Sequence, residues 1–479
     1  MTSALMNALR EPGILVTIFL IVCWDPITIP ILPINPHIRL LHVCNTWRTV
    51  MLSLPGLWDT YIFSVGFFRR PRLQIDIFNY FVTWSGFNAL TLIFLDKVDV
   101  RDHGSLEDNL FGGGRISIVD DIISPYANRI KFIRCLLNGN ENRKFLLGIQ
   151  QGAFSSLEGI DITFINIITR PYSAFTSQDI SHFRTFASLP RLRNATCRIF
   201  SGINPIELNL PYSTLTALDL DASPISPKVF NRIMYLTRDS LIDGHFYLDF
   251  RTDLIDSLSI RAHNLYTSPI VMSSLSTFNI FLINSSVDPD FILNFRFPLI
   301  QDLCVERAEK VLPFKWDLRQ YSALLSSSAG LLKKLRLASF ALKHSPSLHG
   351  HGLFCLSTPS DDVEALFRII PRLTNLQLST GSGIHAVTFG KIGRGEMLPQ
   401  LTTIDLTADI DPIPFFKMIK TRNAPTHSPA TSLIKSFSLT LPSTTSYSTK
   451  VFEKEIESLV SVEERDLLYL PSCDICDRI

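Results

Sequence analysis

The sequence has almost no net charge: 45 Lys and Arg stand against 44 Asp and Glu, a formal +1 at pH 7. That balance sets up no global field for a nucleic acid backbone or an anionic membrane surface, so any partner must be read by local shape and chemistry. Charged residues are scarce, 19% of the chain against 46% hydrophobic ones, and the mean hydropathy is +0.21. This composition excludes a disordered chain and demands a large core. Cysteines are few and scattered, eight in 479 residues, several inside apolar runs. They read as buried thiols from a reducing compartment, not as a disulfide scaffold, which predicts a cytoplasmic or nuclear protein.

Long apolar runs are missing as well. Gly13 to Trp24, the one stretch that suggests a membrane, ends at Asp25 and Pro26 after twelve residues, whereas a spanning helix needs roughly 18 to 20. No small-residue cleavage site follows; Pro26, Pro30, Pro33 and Pro36 stand among Ile and Leu instead. P-loop, dinucleotide fingerprint, zinc-protease helix and nucleophile elbow are all absent, so neither catalysis nor a cofactor is expected. Gly112-Gly113-Gly114-Arg115 lacks the Lys-Ser/Thr of a phosphate cradle and reads as a loop. His349-Gly350-His351 offers two metal ligands with no third nearby, and Cys473-Asp474-Ile475-Cys476 has zinc or redox spacing but no second pair. No metal site is expected.

What is present begins with a helical pattern. Pro12 suits a first helical turn, and Ile14, Leu15, Ile18, Phe19 and Val22 then form an apolar stripe. Asn35-Pro36 predicts the start of a second helix with Leu40, Val43, Cys44, Trp47, Val50 and Met51 as its apolar positions. Ser53-Leu54-Pro55-Gly56-Leu57-Trp58 breaks it and delivers a large aromatic beside the pair. A module this short cannot bury all its apolar surface alone, which points to a partner; the alternative is that the same residues pack on one another.

Pro12-Gly13-Ile14-Leu15 with Ile18-Phe19, then Val43-Cys44-Asn45-Thr46-Trp47-Arg48, then Leu54-Pro55-Gly56-Leu57-Trp58, resembles an F-box. The likeness is to the F-box and leucine-rich-repeat proteins abundant in mushroom-forming fungi, and its specific part covers about residues 11 to 63. The family usually opens with Leu-Pro and an acidic residue, where this chain has Glu11-Pro12-Gly13. The resemblance implies a module that docks a Skp-type adaptor, and through it a cullin-RING ubiquitin ligase, while the rest of the chain captures a protein substrate. The matching positions are Pro12, Ile14, Leu15, Ile18, Phe19, Val43 and Trp47.

From Phe87 onward an apolar residue, another three later and another two after that recur twelve times, the spacing of a leucine-rich-repeat strand. The copies are Phe87/Leu90/Leu92, Ile130/Ile133/Cys135, Leu157/Ile160/Ile162, Leu192/Ala195/Cys197, Leu215/Leu218/Leu220 and Ile255/Leu258/Ile260. They continue with Leu275/Phe278/Ile280, Ile300/Leu303/Val305, Leu332/Leu335/Leu337, Leu373/Leu376/Leu378, Leu401/Ile404/Leu406 and Ile434/Phe437/Leu439. Intervals from 20 to 43 residues make the array irregular, and several copies lack the Asn that usually ladders backbone groups after the strand. Asp361–Ile370, Asp179–Phe186, Lys228–Leu236 and Asp411–Ile419 carry the apolar stripe of outer helices. Pro425 to Tyr447 is rich in Ser, Thr and Pro, and Lys450 to Leu468 has helical spacing, which predicts a terminal cap.

The expected fold is therefore α/β: a small all-helical F-box-like module (1–64), an irregular leucine-rich-repeat solenoid with parallel strands on its concave side and helices outside (65–445), and a capping helix with tail (446–479). Side chains alternate along a strand, so one face gathers the polar positions. They are Ala217, Asp219 and Asp221, then Asp302, Cys304 and Glu306, then Lys334 and Arg336, Asn375 and Gln377, and Thr403 and Asp405. A merely solvated face needs the same polarity; as a reading surface, separated acidic and basic rungs suit a folded protein or charged peptide better than nucleic acid, which demands one sign. The expected function is a non-catalytic substrate receptor, with a protein-interaction scaffold that does not bind the adaptor as the alternative.

Overall fold

The computed structural model describes residues 11–64, 71–95, 118–138, 149–165, 184–199, 204–250, 269–283, 292, 294–309, 318–328, 330–341, 360–378, 384–407, 412–424, 431–441, 459 and 464–469. Two compact units divide the chain, Met1–Leu215 and Thr216–Ile479. Both are α/β, with parallel strands that pair in chain order.

The first unit runs through α1 (Pro12–Val22), β1 (Ile27–Ile29), α2 (Pro36–Leu41), α3 (Asn45–Leu52), β2 (Thr60–Ser64), α4 (Pro71–Trp84), β3 (Leu90–Leu95), β4 (Ile130–Asn138), β5 (Gly159–Ile165) and β6 (Asn194–Ile199). Each strand pairs in parallel with the next, from β1 to β6. The sequence predicts an all-helical module over the first 64 residues, and the structure differs: two strands lie within it. β1 and β2 already belong to the sheet that β3 continues, because Trp58, Tyr61 and Phe63 repeat the strand spacing with aromatic residues and all three are buried. The anticipated second helix is two: α2 ends before His42, and α3 starts only after Cys44, whose backbone is extended. Asn35 starts α2 by accepting the His37 N–H at 2.9 Å.

Trp58 holds these pieces together. Its indole N–H donates to the Met51 carbonyl at 3.0 Å, and its ring stacks on Phe81 of α4 and meets both Trp84 and His37 edge-on. α1 is pinned by Leu15 and Phe19, both fully buried, with Phe19 edge-on to Trp47 of α3 at 5.3 Å.

The second unit holds β7 (Ala217–Ile225), α5 (Pro227–Thr237), β8 (Asp243–Asp249), β9 (Ile270–Val271), β10 (Thr277–Ile283), β11 (Phe295–Arg296), β12 (Asp302–Glu309), α6 (Leu318–Leu325), β13 (Lys334–Ala341), α7 (Ser360–Ile369), β14 (Asn375–Leu378), α8 (Ala386–Gly393), β15 (Thr403–Thr407), α9 (Pro412–Arg422), β16 (Ser436–Leu441) and β17 (Glu464–Tyr469). β9 and β11 form a small separate pair. The others stack in parallel in the order β7-β8-β10-β12-β13-β14-β15-β16-β17. The second and third residues of eleven of the twelve expected triplets fall on strands β3 to β7, β10 and β12 to β16, but Phe87, the expected first position of the β3 copy, is fully exposed and takes no part in the core.

The stacking has a simple physical basis. Leu218, Phe278, Leu303, Leu335, Leu376, Ile404 and Phe437 share one register row, Leu220, Phe246, Ile280, Val305, Leu337, Leu378, Leu406 and Leu439 the next, and all are at most 2% exposed. Each such side chain contributes about 1.5–3 kcal/mol by leaving water. Helices cover this face: Phe230 of α5 meets Phe246 at 5.1 Å, and Phe415 of α9 meets Phe437 at 5.7 Å. The residue ahead of each strand adds a backbone rung, its N–H donating to the carbonyl of the equivalent residue one strand earlier. Ile242 bonds Thr216, Ser276 bonds Ile242, Gln301 bonds Ser276, Lys333 bonds Gln301, Thr374 bonds Lys333, Thr402 bonds Thr374 and Lys435 bonds Thr402, at 2.8–2.9 Å.

Two expectations change here. The Ile255/Leu258/Ile260 copy lies outside the described residues, and β8 pairs directly with β10, so the rung between β7 and β10 is Leu241, Gly244 and Phe246 instead. Gly244 occupies the middle apolar position because the Phe246 ring fills that space: a Cβ there would meet Phe246 Cε2 at 2.8 Å. At the other end, Glu464–Tyr469 is a strand paired with β16 and not part of a capping helix. The helices expected at 228–236, 361–370 and 411–419 correspond to α5, α7 and α9. Most of the one expected at 179–186 lies outside the described residues, as do Gly112–Arg115, His349–His351 and Cys473–Cys476. Among the described residues, no helix is long and apolar enough to cross a membrane, and no group of three or more His, Cys, Asp or Glu could hold a metal ion.

Candidate functional site

Two surfaces, one in each unit, gather the residues singled out from the sequence. In the first unit α1 is apolar all round, so its buried side cannot be told from periodicity alone. Leu15, Phe19 and Cys23 turn inward, and burial raises the Cys23 thiol to about 11. Pro12, Ile14 and Val43 are exposed, while Ile18 and Trp47 are half-buried. Of the seven expected adaptor contacts, Leu15 and Phe19 therefore serve the fold, and the other five retain accessible surface. The helix also exposes Leu20, Ile21 and Val22, with Trp24 just beyond its end at 85% exposure. Leu32 and Ile34 in the following loop are exposed too. The sequence signal for these was the unbroken apolar run itself, which a one-sided stripe understates.

In the second unit the non-core face of the strands carries two polar rows. One runs Ala217, Asp243, Thr277, Asp302, Lys334, Asn375, Thr403 and Ser436; the other runs Asp219, His245, Asn279, Cys304, Arg336, Gln377, Asp405 and Ser438. The structure thus brings the expected residues together as neighbours across successive strands. Asp221 departs from the pattern: the register shifts after Leu220 and resumes at Pro224, and Asp221 is exposed in the shifted segment with its N–H donating to Asp219 Oδ1 at 3.0 Å.

The charges in the middle of this face are matched. Lys334 Nζ lies 3.2 Å from Asp302 Oδ2, and Arg336 Nη2 lies 2.8 Å from Glu306 Oε1. Cys304 donates to Glu306 at 3.6 Å, and burial, followed by the charge of Glu306, pushes its thiol up to about 12. Toward β7 and β8 the balance is different. Asp243 lies 3.1 Å from His245 Nε2, and Asn279 reaches the same imidazole at 3.2 Å. Partial burial, and after it the neighbouring Asp221 carboxylate, raise the Asp219 pKa. Further along the same strands, Tyr247 and Phe281 pack edge-on at 5.1 Å, both half-buried. Sequence reasoning missed Asp243, His245, Tyr247, Asn279 and Phe281; for the β8 residues the cause is Gly244, which breaks the apolar triplet.

No family model matches the chain, and a comparison with curated proteins likewise finds no match.

Proposed function

We propose that this chain is a non-catalytic substrate-recognition subunit of an SCF-type cullin-RING ubiquitin ligase, working in the cytoplasm or nucleus. In this reading the F-box-like helices near the N-terminus dock a Skp-type adaptor, and an irregular leucine-rich-repeat solenoid reads a protein substrate on its strand face. The observation that carries it is the apolar exterior of α1: Ile14, Leu20, Ile21 and Val22 remain exposed although Leu15 and Phe19 already fill the interior. Exposed apolar side chains gathered on one short helix are the kind of surface a protein partner covers. The repeat reading draws support from parallel strands in chain order, apolar rows on one face and polar rows on the other.

The test is a pull-down of the intact chain with a purified Skp-type adaptor. Binding that is lost on Ile21→Asp supports the proposal; absence of binding by the intact chain removes it. Deleting residues 1–64 is a poor substitute, because it also strips β1 and β2 from the sheet.

The start of α1 favours one rival reading, a repeat-built interaction scaffold that does not bind the adaptor. Its first turn has no acidic residue, and Glu11 at the N-cap makes no side-chain cap bond. A Cβ at Gly13 meets nothing within 4 Å, so Gly13→Glu is sterically open and places a negative charge at the positive end of the helix. Glu11→Leu with Gly13→Glu creates adaptor binding if the scaffold reading holds and only strengthens it otherwise.

A further inference from the structure

The polar strand face of the second unit is uneven in charge. On β12 and β13 two acids of this face have a base, Asp302 with Lys334 and Glu306 with Arg336. On β7 and β8, Asp219, Asp221 and Asp243 have no Lys or Arg within ion-pair distance among the described residues; His245 is the only basic group against them, paired to Asp243. Two of these carboxylates crowd each other, since the Asp219 side chain interacts directly with Asp221. Like charges placed side by side on a folded surface cost stability unless a counter-charge arrives.

β8 and its neighbour β10 carry an aromatic pair on the same face, Tyr247 and Phe281. Asp243 and Tyr247 are four residues apart on β8, a rise of about 13 Å, and β7 to β10 spans two strand spacings of about 5 Å each. An area of that size accommodates an extended segment of about four residues. Cationic side chains there would meet carboxylates at one end and ring faces at the other, where a guanidinium or ammonium is attracted by the ring quadrupole.

We propose that the β7–β8–β10 end of this face docks a lysine- or arginine-bearing segment of a protein partner, with Asp219, Asp221 and Asp243 supplying counter-charge and Tyr247 and Phe281 the rings. This rests on the reading of the strand face as the recognition surface, and it deepens that reading by giving the partner a charge.

The experiment uses the full chain and a fluorescent twelve-residue peptide of alternating Arg-Ser and Lys-Gly pairs, with a Glu-substituted twin as control, read by anisotropy. Wild type binds the basic peptide and not the acidic one. Asp219→Asn with Asp243→Asn weakens binding at least tenfold, and Asp221→Lys, at an exposed position, does so without disturbing the core. Tyr247→Ala weakens it severalfold, whereas Asp302→Asn with Lys334→Gln, on the matched rungs, leaves it within twofold. The proposal is overturned if the basic peptide does not bind, if the matched-rung variant loses as much as the acidic-rung variants, or if spermine binds as tightly as the peptide. Adaptor pull-down on the same proteins separates the two readings: lost adaptor binding with retained peptide binding sinks only the ligase proposal, and the reverse sinks only this one.

Discussion

Arg134 and Asp161 occupy the same register position on adjacent strands, with the Arg134 Nε 2.6 Å from the Asp161 Oδ2. Arg198 reaches the other oxygen at 3.1 Å, so one carboxylate, only 6% exposed, is held between two guanidinium groups. Removing it leaves two like charges facing each other over the β4–β6 face. Asp161→Ala is expected to destabilise the chain by about 1–3 kcal/mol, discounted because both arginines are partly solvated. Chemical denaturation measures this; an unchanged midpoint would mean that the triad is ornamental.

Arg422 works without a carboxylate. Its guanidinium is fully buried at the end of α9 and donates to four carbonyls: Ser432 at 2.7 Å, Ile392 at 2.8 Å, Leu398 at 2.9 Å and Pro399 at 2.6 Å. Burial lowers its pKa to about 10, which leaves it charged at neutral pH. Arg422→Met orphans all four acceptors and is expected to cost about 3 kcal/mol or more. Arg422→Lys should recover little, because an ammonium cannot span the same fork of acceptors. Thermal unfolding of the two variants, side by side, checks both statements.

His37 gives the fold a dependence on mild acid. Desolvation lowers its pKa to about 4, against weaker opposing effects from a backbone hydrogen bond with Leu57 and the charge of Asp25. An imidazole depressed in the fold stays neutral while the unfolded chain takes up a proton. Stability is therefore fully present above about pH 6.5, falls as the pH drops toward 4, and levels off below that. The contribution at stake is about 3 kcal/mol. His37→Gln should flatten this part of the profile in urea titrations between pH 4 and 7; a slope equal to that of wild type would assign it to other groups.

The two sides of α1 should respond in opposite ways. Leu15→Ala and Phe19→Ala empty buried space and are each expected to cost about 2–5 kcal/mol. Ile21→Asp and Trp24→Ser, at positions 70% and 85% exposed, should leave the melting temperature close to that of wild type and, if the ligase proposal holds, abolish adaptor capture. Were Ile21→Asp to unfold the chain, that side of the helix would have to be interior.

Gly244→Ala should cost about 1–3 kcal/mol by overpacking against Phe246, and Phe246→Leu in the same chain should recover part of it. Additive losses in the double variant, measured by denaturation, would contradict this account of the rung.

How far the sequence could be read follows from these positions. Where the triplet is Leu, Ile or Val, as at Leu332, Leu335 and Leu337, spacing located the strand, because each apolar position is filled by its own side chain. At β8 the middle position is filled from two residues away by Phe246, so the triplet is broken there, and at β2 the triplet Trp58, Tyr61 and Phe63 lies inside a stretch that reads as a helical module. β17 illustrates another limit, since the alternation in Glu464–Tyr469 is short and helical spacing fitted the preceding residues equally well. On the polar face, positions were legible from alternation, but pairing was not: that Lys334 and Arg336 neutralise Asp302 and Glu306 depends on register across strands 30 or so residues apart. The outward side of α1 was hidden for the opposite reason, as a helix apolar on every side has no preferred direction in its sequence.

The backbone rungs that precede each strand make the architecture indifferent to what lies between them. Ser276 and Gln301 are 25 residues apart and Lys333 and Thr374 are 41 apart, yet both pairs close the same N–H to C=O bond at 2.8 Å. Connecting segments can lengthen or shorten without altering how neighbouring strands meet, and new loops can be tried at the strand ends while the scaffold is kept. A chain built in this way can vary its exposed segments faster than it changes its fold.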